Sequence, residues 1–471
     1  MEYLLNSDGT TTGVTGASND SKKNRLEGKI ILTAALATML VPLNSTMLAV
    51  ALPSIIEEFD VGLATSGWLV TGYLIAMASL LPLGGKVGDR FGRRRIVLLG
   101  LLMFGVSSIA AGFAPNLLTL MAFRIMQGAA GSLITPNTGA LIREAVPEAR
   151  RGMAFGILGA VIGIAAGLGP PVGGVLVEIA GWRAIFFFSV IVVVLAFAIG
   201  WNILPKAPSL GSFGQFDIIG SLGLPAILIA LVSMLLYMAG NGEIIVLAAG
   251  VPAIALVILG FGWREWSHPD PVFQPRIFRT KSFTASSLGI ALTNLSMYSL
   301  LIAVPLFLAA RDGSSALKTG MVLTSMTIGM IVMSVVAGRM LDRNGRRLPT
   351  TVGMLITAIG AAPMAFIGGD ISVSVLVLGL TLIGIGLGLA MTGLQTTSVE
   401  SVVEDQVGAA AGVYSTSRYL GSIMGSAIIA LLIGQEVGDI EDIGVVFIVS
   451  FVAAVLAVFT SFGLRAWPQQ R

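Results

Sequence analysis

The chain has 471 residues, 55% of them hydrophobic and only 11% charged, where soluble domains carry about a quarter charged residues. With a mean hydropathy of +0.91, this excludes a water-soluble fold and calls for repeated apolar segments long enough to cross a bilayer. Cysteine is absent and His268 is the single histidine, which excludes disulfides, thiolate nucleophiles and Cys- or His-based metal centres, so neither cofactor nor metal is expected. The net charge of +3 lies in short basic clusters between apolar runs, a pattern that fits a lipid surface rather than nucleic acid.

Residues 1–29 are polar and rich in Ser, Thr, Gly and Asn, and they predict a disordered cytoplasmic tail. The first apolar run starts at Ile30 and is too long for the core of a cleaved signal peptide, so it stays as a span. Fourteen runs follow, at about 30–53, 66–85, 95–114, 117–141, 153–177, 184–204, 217–239, 244–263, 283–310, 319–341, 349–368, 372–394, 408–434 and 443–465. Backbone polar groups in hydrocarbon must be satisfied within each segment, and the period-2 pattern of barrel strands is missing, so the fold expected is all-α with fourteen transmembrane helices. An even number of spans puts both termini on one side. With the termini inside, 23 of the 28 Lys and Arg fall in cytoplasmic segments, three (Arg183, Arg311 and Lys318) outside, and two (Arg124 and Arg418) within spans, the bias expected of a cell-membrane protein with cytoplasmic ends.

The pattern G-x-x-x-D-R-x-G-R-R occurs twice, with Gly85, Asp89, Arg90, Gly92 and Arg93 repeated 253 positions later as Gly338, Asp342, Arg343, Gly345 and Arg346. The run from Phe283 stands at the same offset from Ile30, so one duplication explains both halves. The organisation read from this is a six-helix bundle over 30–206, a two-helix insert over 207–267, and a second six-helix bundle with a short tail over 268–471.

These motifs, together with Arg124-Ile-Met-Gln127-Gly128 and Gly167-Leu-Gly169-Pro170-Pro171-Val-Gly173-Gly174, resemble the major facilitator superfamily, and most closely its fourteen-span drug:proton antiporter branch. The resemblance covers about residues 30–465. It implies two rocking bundles, a central cavity, alternating access, and amphiphilic or hydrophobic small molecules exchanged for protons in multidrug efflux.

Each motif also has a physical reading of its own. Gly85, Gly88 and Gly92 give a short interhelical turn backbone freedom and close packing. Asp89 can accept from Arg90 or Arg93 and face a helix N-terminus of the other bundle, latching the cytoplasmic side. In the fifth span Gly163 and Gly167, four apart, allow close helix contact, and Pro170 and Pro171 favour a kink, so the stretch through Gly174 suggests a packed pivot.

Polar residues at membrane depth mark pathways. At 1.5 Å per residue, Asn44 and Arg124 reach a similar level roughly 10 Å from the outer face of a core of about 30 Å. Gln127 shares a helix face with Arg124, while Asn294 with Tyr298 and Tyr414 with Arg418 are pairs four apart near the midplane. Together they predict a pocket shared by both halves, against the plainer reading of helix-to-helix hydrogen bonds without cargo.

One position departs from the family pattern, because the first span carries Asn44 where the antiporters usually have Asp. No Asp or Glu falls near a span centre. Three accounts stay open: Asn replacing Asp by engineering or drift, coupling through Glu178 or Asp89 by a water path, or a carrier that uses no proton. The function expected is export of amphiphilic compounds by secondary transport, with no enzyme activity. Transport of lipids or anionic amphiphiles without protons is the alternative, and a non-transporting receptor or scaffold is a further one. No P-loop is present to support ATP drive.

Overall fold

The structure, a computed structural model, describes residues 13–205, 218–239, 244–268, 271, 275–403, 407–433 and 440–465. Each apolar run becomes one helix: α1 Gly13–Phe59, α2 Leu63–Phe91, α3 Arg93–Gly112, α4 Leu117–Ala145, α5 Glu148–Ala180, α6 Ala184–Ile203, α7 Ile218–Ala239, α8 Ile244–Ser267, α9 Lys281–Asp312, α10 Ala316–Asn344, α11 Arg347–Ile367, α12 Val373–Glu400, α13 Val407–Ile433 and α14 Ile440–Thr460. Among the described residues, 11 helices are long and apolar enough to cross a membrane.

The N-terminal segment corrects one expectation. Helix α1 begins at Gly13, so residues 13–29 are helical rather than coil, and residues 1–12 lie outside the described residues. Lys22, Lys23, Arg25, Glu27 and Lys29 tolerate helix well, and adding turns to a helix already nucleated is far easier than starting one. The boundary expected near 206 also lies outside the described residues.

Helix ends follow local chemistry. Asn116 caps α4 by accepting from the Thr119 amide at 2.9 Å, and Ser315 and Ser372 cap α10 and α12 in the same way. The two copies of the duplicated turn are closed by Gly92 at φ 94° and Gly345 at φ 74°, a region costly for any residue with a Cβ.

The packing repeats as the sequence does. In the first half α1 packs on α4, α5 and α6, α2 packs on α4, and α3 packs on α4 and α6. The second half reproduces that scheme, with α9 on α12, α13 and α14, α10 on α12, and α11 on α12 and α14. Small residues bring backbones close enough for dispersion to hold helices together where lipid offers no hydrophobic gain. Gly360 of α11 and Gly379 of α12 illustrate this, since a Cβ on either would lie 2.7 Å from the other's carbonyl oxygen.

The two bundles meet through α1 with α9, α2 with α13, and α5 with α10. Helix α7 covers the α2–α13 seam, and α8 packs on α7. For orientation, the end carrying the Gly92 and Gly345 turns is called the Gly92 end, and the opposite one the Trp182 end.

Candidate functional site: a cavity between the bundles

A cavity of about 600 Å³ lies between the two bundles. Its deep wall is near the midplane, where Ser45 of α1 and Tyr298 of α9 are hydrogen-bonded at 3.3 Å. From there it runs toward the Gly92 end, past Gly163 of α5, Gly338 of α10 and Gln395 of α12. A Cβ added at Gly163 or Gly338 would meet nothing within 4 Å, so α5 and α10 stand apart at that end.

Toward the Trp182 end the same helices close. A Cβ on Gly174 would lie 2.6 Å from the Ala316 carbonyl oxygen, and one on Gly320 would lie 2.6 Å from that of Pro170. Thr327 Oγ1 donates to the Gly167 carbonyl at 2.8 Å, and on the opposite seam the Thr71 and Ser426 hydroxyls are 2.8 Å apart. The glycine motif is thus divided between two faces. Gly167, Pro170 and Gly174 meet α10, while Gly169 and Gly173 receive Thr46 and Met47 of α1. Gly163, expected in a close helix contact, faces the cavity instead, because α5 has diverged from α10 there.

The midplane residues separate into two groups. Asn294, Tyr298, Tyr414 and Arg418 line the cavity, and Ser422 Oγ lies 3.5 Å from Asn294 Oδ1, bridging α13 and α9. Asn44, Arg124 and Gln127 come together as expected, but inside the first bundle and not on the cavity wall. This corrects the single shared pocket read from depth alone. Arg124 is fully buried, with Nη1 donating to Asn44 Oδ1 and, at 2.9 Å, to Gln127 Oε1, and Nε donating to the Leu69 carbonyl at 3.2 Å.

The chain of bonds continues outward through both amides. Gln127 Nε2 donates to Ser108 Oγ at 2.7 Å, and Asn44 Nδ2 donates to Ser189 Oγ at 2.9 Å. One arginine therefore ties α1, α2, α3, α4 and α6 without a carboxylate, its charge met by carbonyl dipoles and one aromatic face, while its Nη2 is buried with no hydrogen-bond partner. Tyr73, whose ring centroid is 4.2 Å from the Arg124 guanidinium carbon, stands between this network and the cavity. Sequence reading missed Tyr73 and Ser45, because neither is unusual in an apolar helix.

At the Gly92 end the duplicated motif forms two matching ion-pair triads. Arg93 binds Asp89 at 2.7 Å and Glu144 at 3.2 Å, and Arg346 binds Asp342 at 3.4 Å and Glu400 at 2.8 Å. Asp89 accepts from Arg93, one of the two arginines expected to hold it, and with its side chain 55% exposed it makes no contact with the other bundle among the described hydrogen bonds and ion pairs. Arg90 lies over the neighbouring Phe91 ring, and Arg343 is exposed. Gly85 packs loosely on Pro136, whereas Gly88 leaves the space that the Asn137 side chain fills as it donates to the Gly84 carbonyl at 2.8 Å. Hydrogen bonding to Glu400 raises the Arg346 pKa above its ordinary value, so the guanidinium keeps its charge at any working pH. Glu144 and Glu400 carry no motif signal in the sequence; only the fold brings them to the arginines.

Glu178 is exposed at the end of α5. A buried carboxylate does exist elsewhere: Glu27 of α1 pairs with Arg150 of α5 at 2.6 Å through Oε2, while its Oε1 is buried without a hydrogen-bond partner.

Two duplicated six-helix bundles closing on a midplane cavity define a polytopic membrane transporter. Comparison with known proteins agrees. The family described as Major Facilitator Superfamily matches residues 34–426 and again 286–467, the second match covering the second bundle. The chain belongs to the Major Facilitator Superfamily. It is 32% identical to the uncharacterized MFS-type transporter YvkA of Bacillus subtilis (strain 168) over 94% of this chain and 97% of that protein. It is 32% identical to the tetracenomycin C resistance and export protein of Streptomyces glaucescens, over 87% of this chain and 76% of that protein. The puromycin resistance protein pur8 of Streptomyces alboniger is 31% identical, over 85% and 80%.

Proposed function

We propose that this transporter is a secondary active exporter of amphiphilic and hydrophobic compounds in the cell membrane, working by alternating access. The cavity carries the reading, since it is shared by both bundles, runs to the Gly92 end and is sealed at the Trp182 end by the Gly174–Gly320 approach. The Lys and Arg bias supports assigning the Gly92 end and both termini to the cytoplasm. The conformation is then the inward-open state, which loads from the cytoplasm or inner leaflet. Two relatives whose names state drug export or resistance support the cargo class.

Rocking about the α5–α10 contact closes the Gly92 end and opens the other. We assign proton exchange as the drive. Among the described residues the cavity wall holds no Asp or Glu and Asn44 does not titrate, so we place proton uptake outside the cavity; of the two buried carboxylates, Glu27 and Glu265, Glu27 joins α1 to Arg150 of α5, the helix that meets the second bundle, and we assign the role to it. The test is transport of a panel of fluorescent amphiphiles in proteoliposomes, with and without an imposed pH gradient. Acceleration by the gradient is expected. Equal rates would remove proton exchange, and no movement of any compound would remove the export reading.

A further inference from the structure

Among the described residues that line the cavity, Arg418 is the one with a formal charge, and none of them is a carboxylate. The rest is mainly apolar, with Val41, Leu74, Ile162 and Met330 among its surfaces. The guanidinium carbon lies 5.0 Å from the Tyr419 ring centroid, and Tyr298 and Tyr414 line the same wall. Unlike Arg124, which is fully buried within one bundle with Nε and Nη1 on acceptors, Arg418 is half-buried and lines the space that cargo enters. A cation held in a low-dielectric pocket without a counter-charge is costly unless water or an incoming anion meets it. A cationic cargo would find only repulsion there and no acid to hold it.

Resting on the export reading above, we infer that Arg418 is an anion-binding residue, and that the preferred cargo is an amphiphile with a carboxylate, sulfonate or phosphate head and an apolar body. The head docks on the guanidinium, whose paired N–H groups match two oxygens of such a group, and phenol hydroxyls of the neighbouring tyrosines donate beside it. The body lies along the apolar wall toward the Gly92 end. The same head chemistry belongs to a free amphiphile and to an anionic lipid.

The experiment uses the full-length protein in phosphatidylcholine nanodiscs and three probes built on one dansyl-alkyl body, ending in a carboxylate, its methyl ester, or a trimethylammonium group. Wild type should bind the carboxylate at least about tenfold more tightly than the ester, the factor that one charge-assisted contact carries. In Arg418→Gln that ratio should fall toward one, and Arg418→Lys should recover part of it. Adding phosphatidylglycerol separates the sources: competition with the carboxylate identifies a lipid head as an occupant, and none identifies the free amphiphile. Equal binding of carboxylate and ester by wild type, or tighter binding of the trimethylammonium probe, would overturn the inference and leave the export reading standing. If no probe binds, and none moves in proteoliposomes, both fall.

Discussion

Ser45 and Tyr298 are hydrogen-bonded across the bundle interface at 3.3 Å, and their separation of 253 residues is the offset of the duplicated motif. The two halves therefore touch at equivalent positions, on the pseudo-symmetry axis and at the deep wall of the cavity. Tyr298→Phe deletes this bond while keeping the ring. Such a bond contributes about 1 kcal/mol, so the balance between inward- and outward-open states should move by about fivefold. Maleimide labelling of Gly163→Cys, in a chain with no native cysteine, reads that balance, and unchanged labelling would show the bond to be indifferent to state.

Gly174→Val should be severe. Its side chain would press on the Ala316 carbonyl, 2.6 Å from the new Cβ, and overpacking of this kind costs about 1–3 kcal/mol. The seal at the Trp182 end should loosen, raising the accessibility of Thr327→Cys, at a position buried in the same α5–α10 contact, to a membrane-impermeant reagent added outside. Unaltered accessibility together with full transport would refute the role of this contact as the outer seal.

Asp89→Ala should leave stability within about 1 kcal/mol, because the Asp89–Arg93 pair is exposed and Arg93 keeps Glu144. Its effect should appear in the other state, in which the Gly92 end closes. Cavity positions should then become more reactive from the cytoplasmic side, and transport should slow. Loss of several kcal/mol in a thermal melt would mean that the carboxylate serves the fold instead.

Arg124→Met should destabilise strongly, by about 3–5 kcal/mol, since it strands Asn44 and Gln127 in a buried network. Asn44→Asp should be tolerated, because it keeps the acceptor and adds a charge beside the guanidinium. It also adds a group that titrates. Transport against pH should differ from the parent, and superimposable profiles would exclude position 44 from coupling.

Glu27→Gln replaces a buried acid with its uncharged counterpart and weakens the link from α1 to Arg150 of α5. Exchange of cargo down its own gradient should persist, while acceleration by a pH gradient should be lost. Retained acceleration would move proton uptake to another group.

The spans, their number and the duplication were legible because a bilayer leaves the backbone a single economical answer, and apolar length expresses it directly. Depth along a helix is legible too, which places Asn44 and Arg124 at one level with Gln127 on the same helix face as Arg124, and the three do meet. Their direction is not. Glu27 was read as part of a polar tail because no periodicity shows that α1 continues through it, and Glu144 and Glu400 became visible only once α4 and α12 packed beside the duplicated turns.

The amino-acid order by itself determined a helical membrane protein built from two related halves, with a strong bias of positive charge to one side, since each of these depends on composition and repetition along the chain. Tertiary structure alone decided that Arg418 faces the cavity while Arg124 is sealed within a bundle. The physical reason is rotation: in helices apolar on every side, contact with neighbours sets which face turns inward, and those neighbours are distant in sequence.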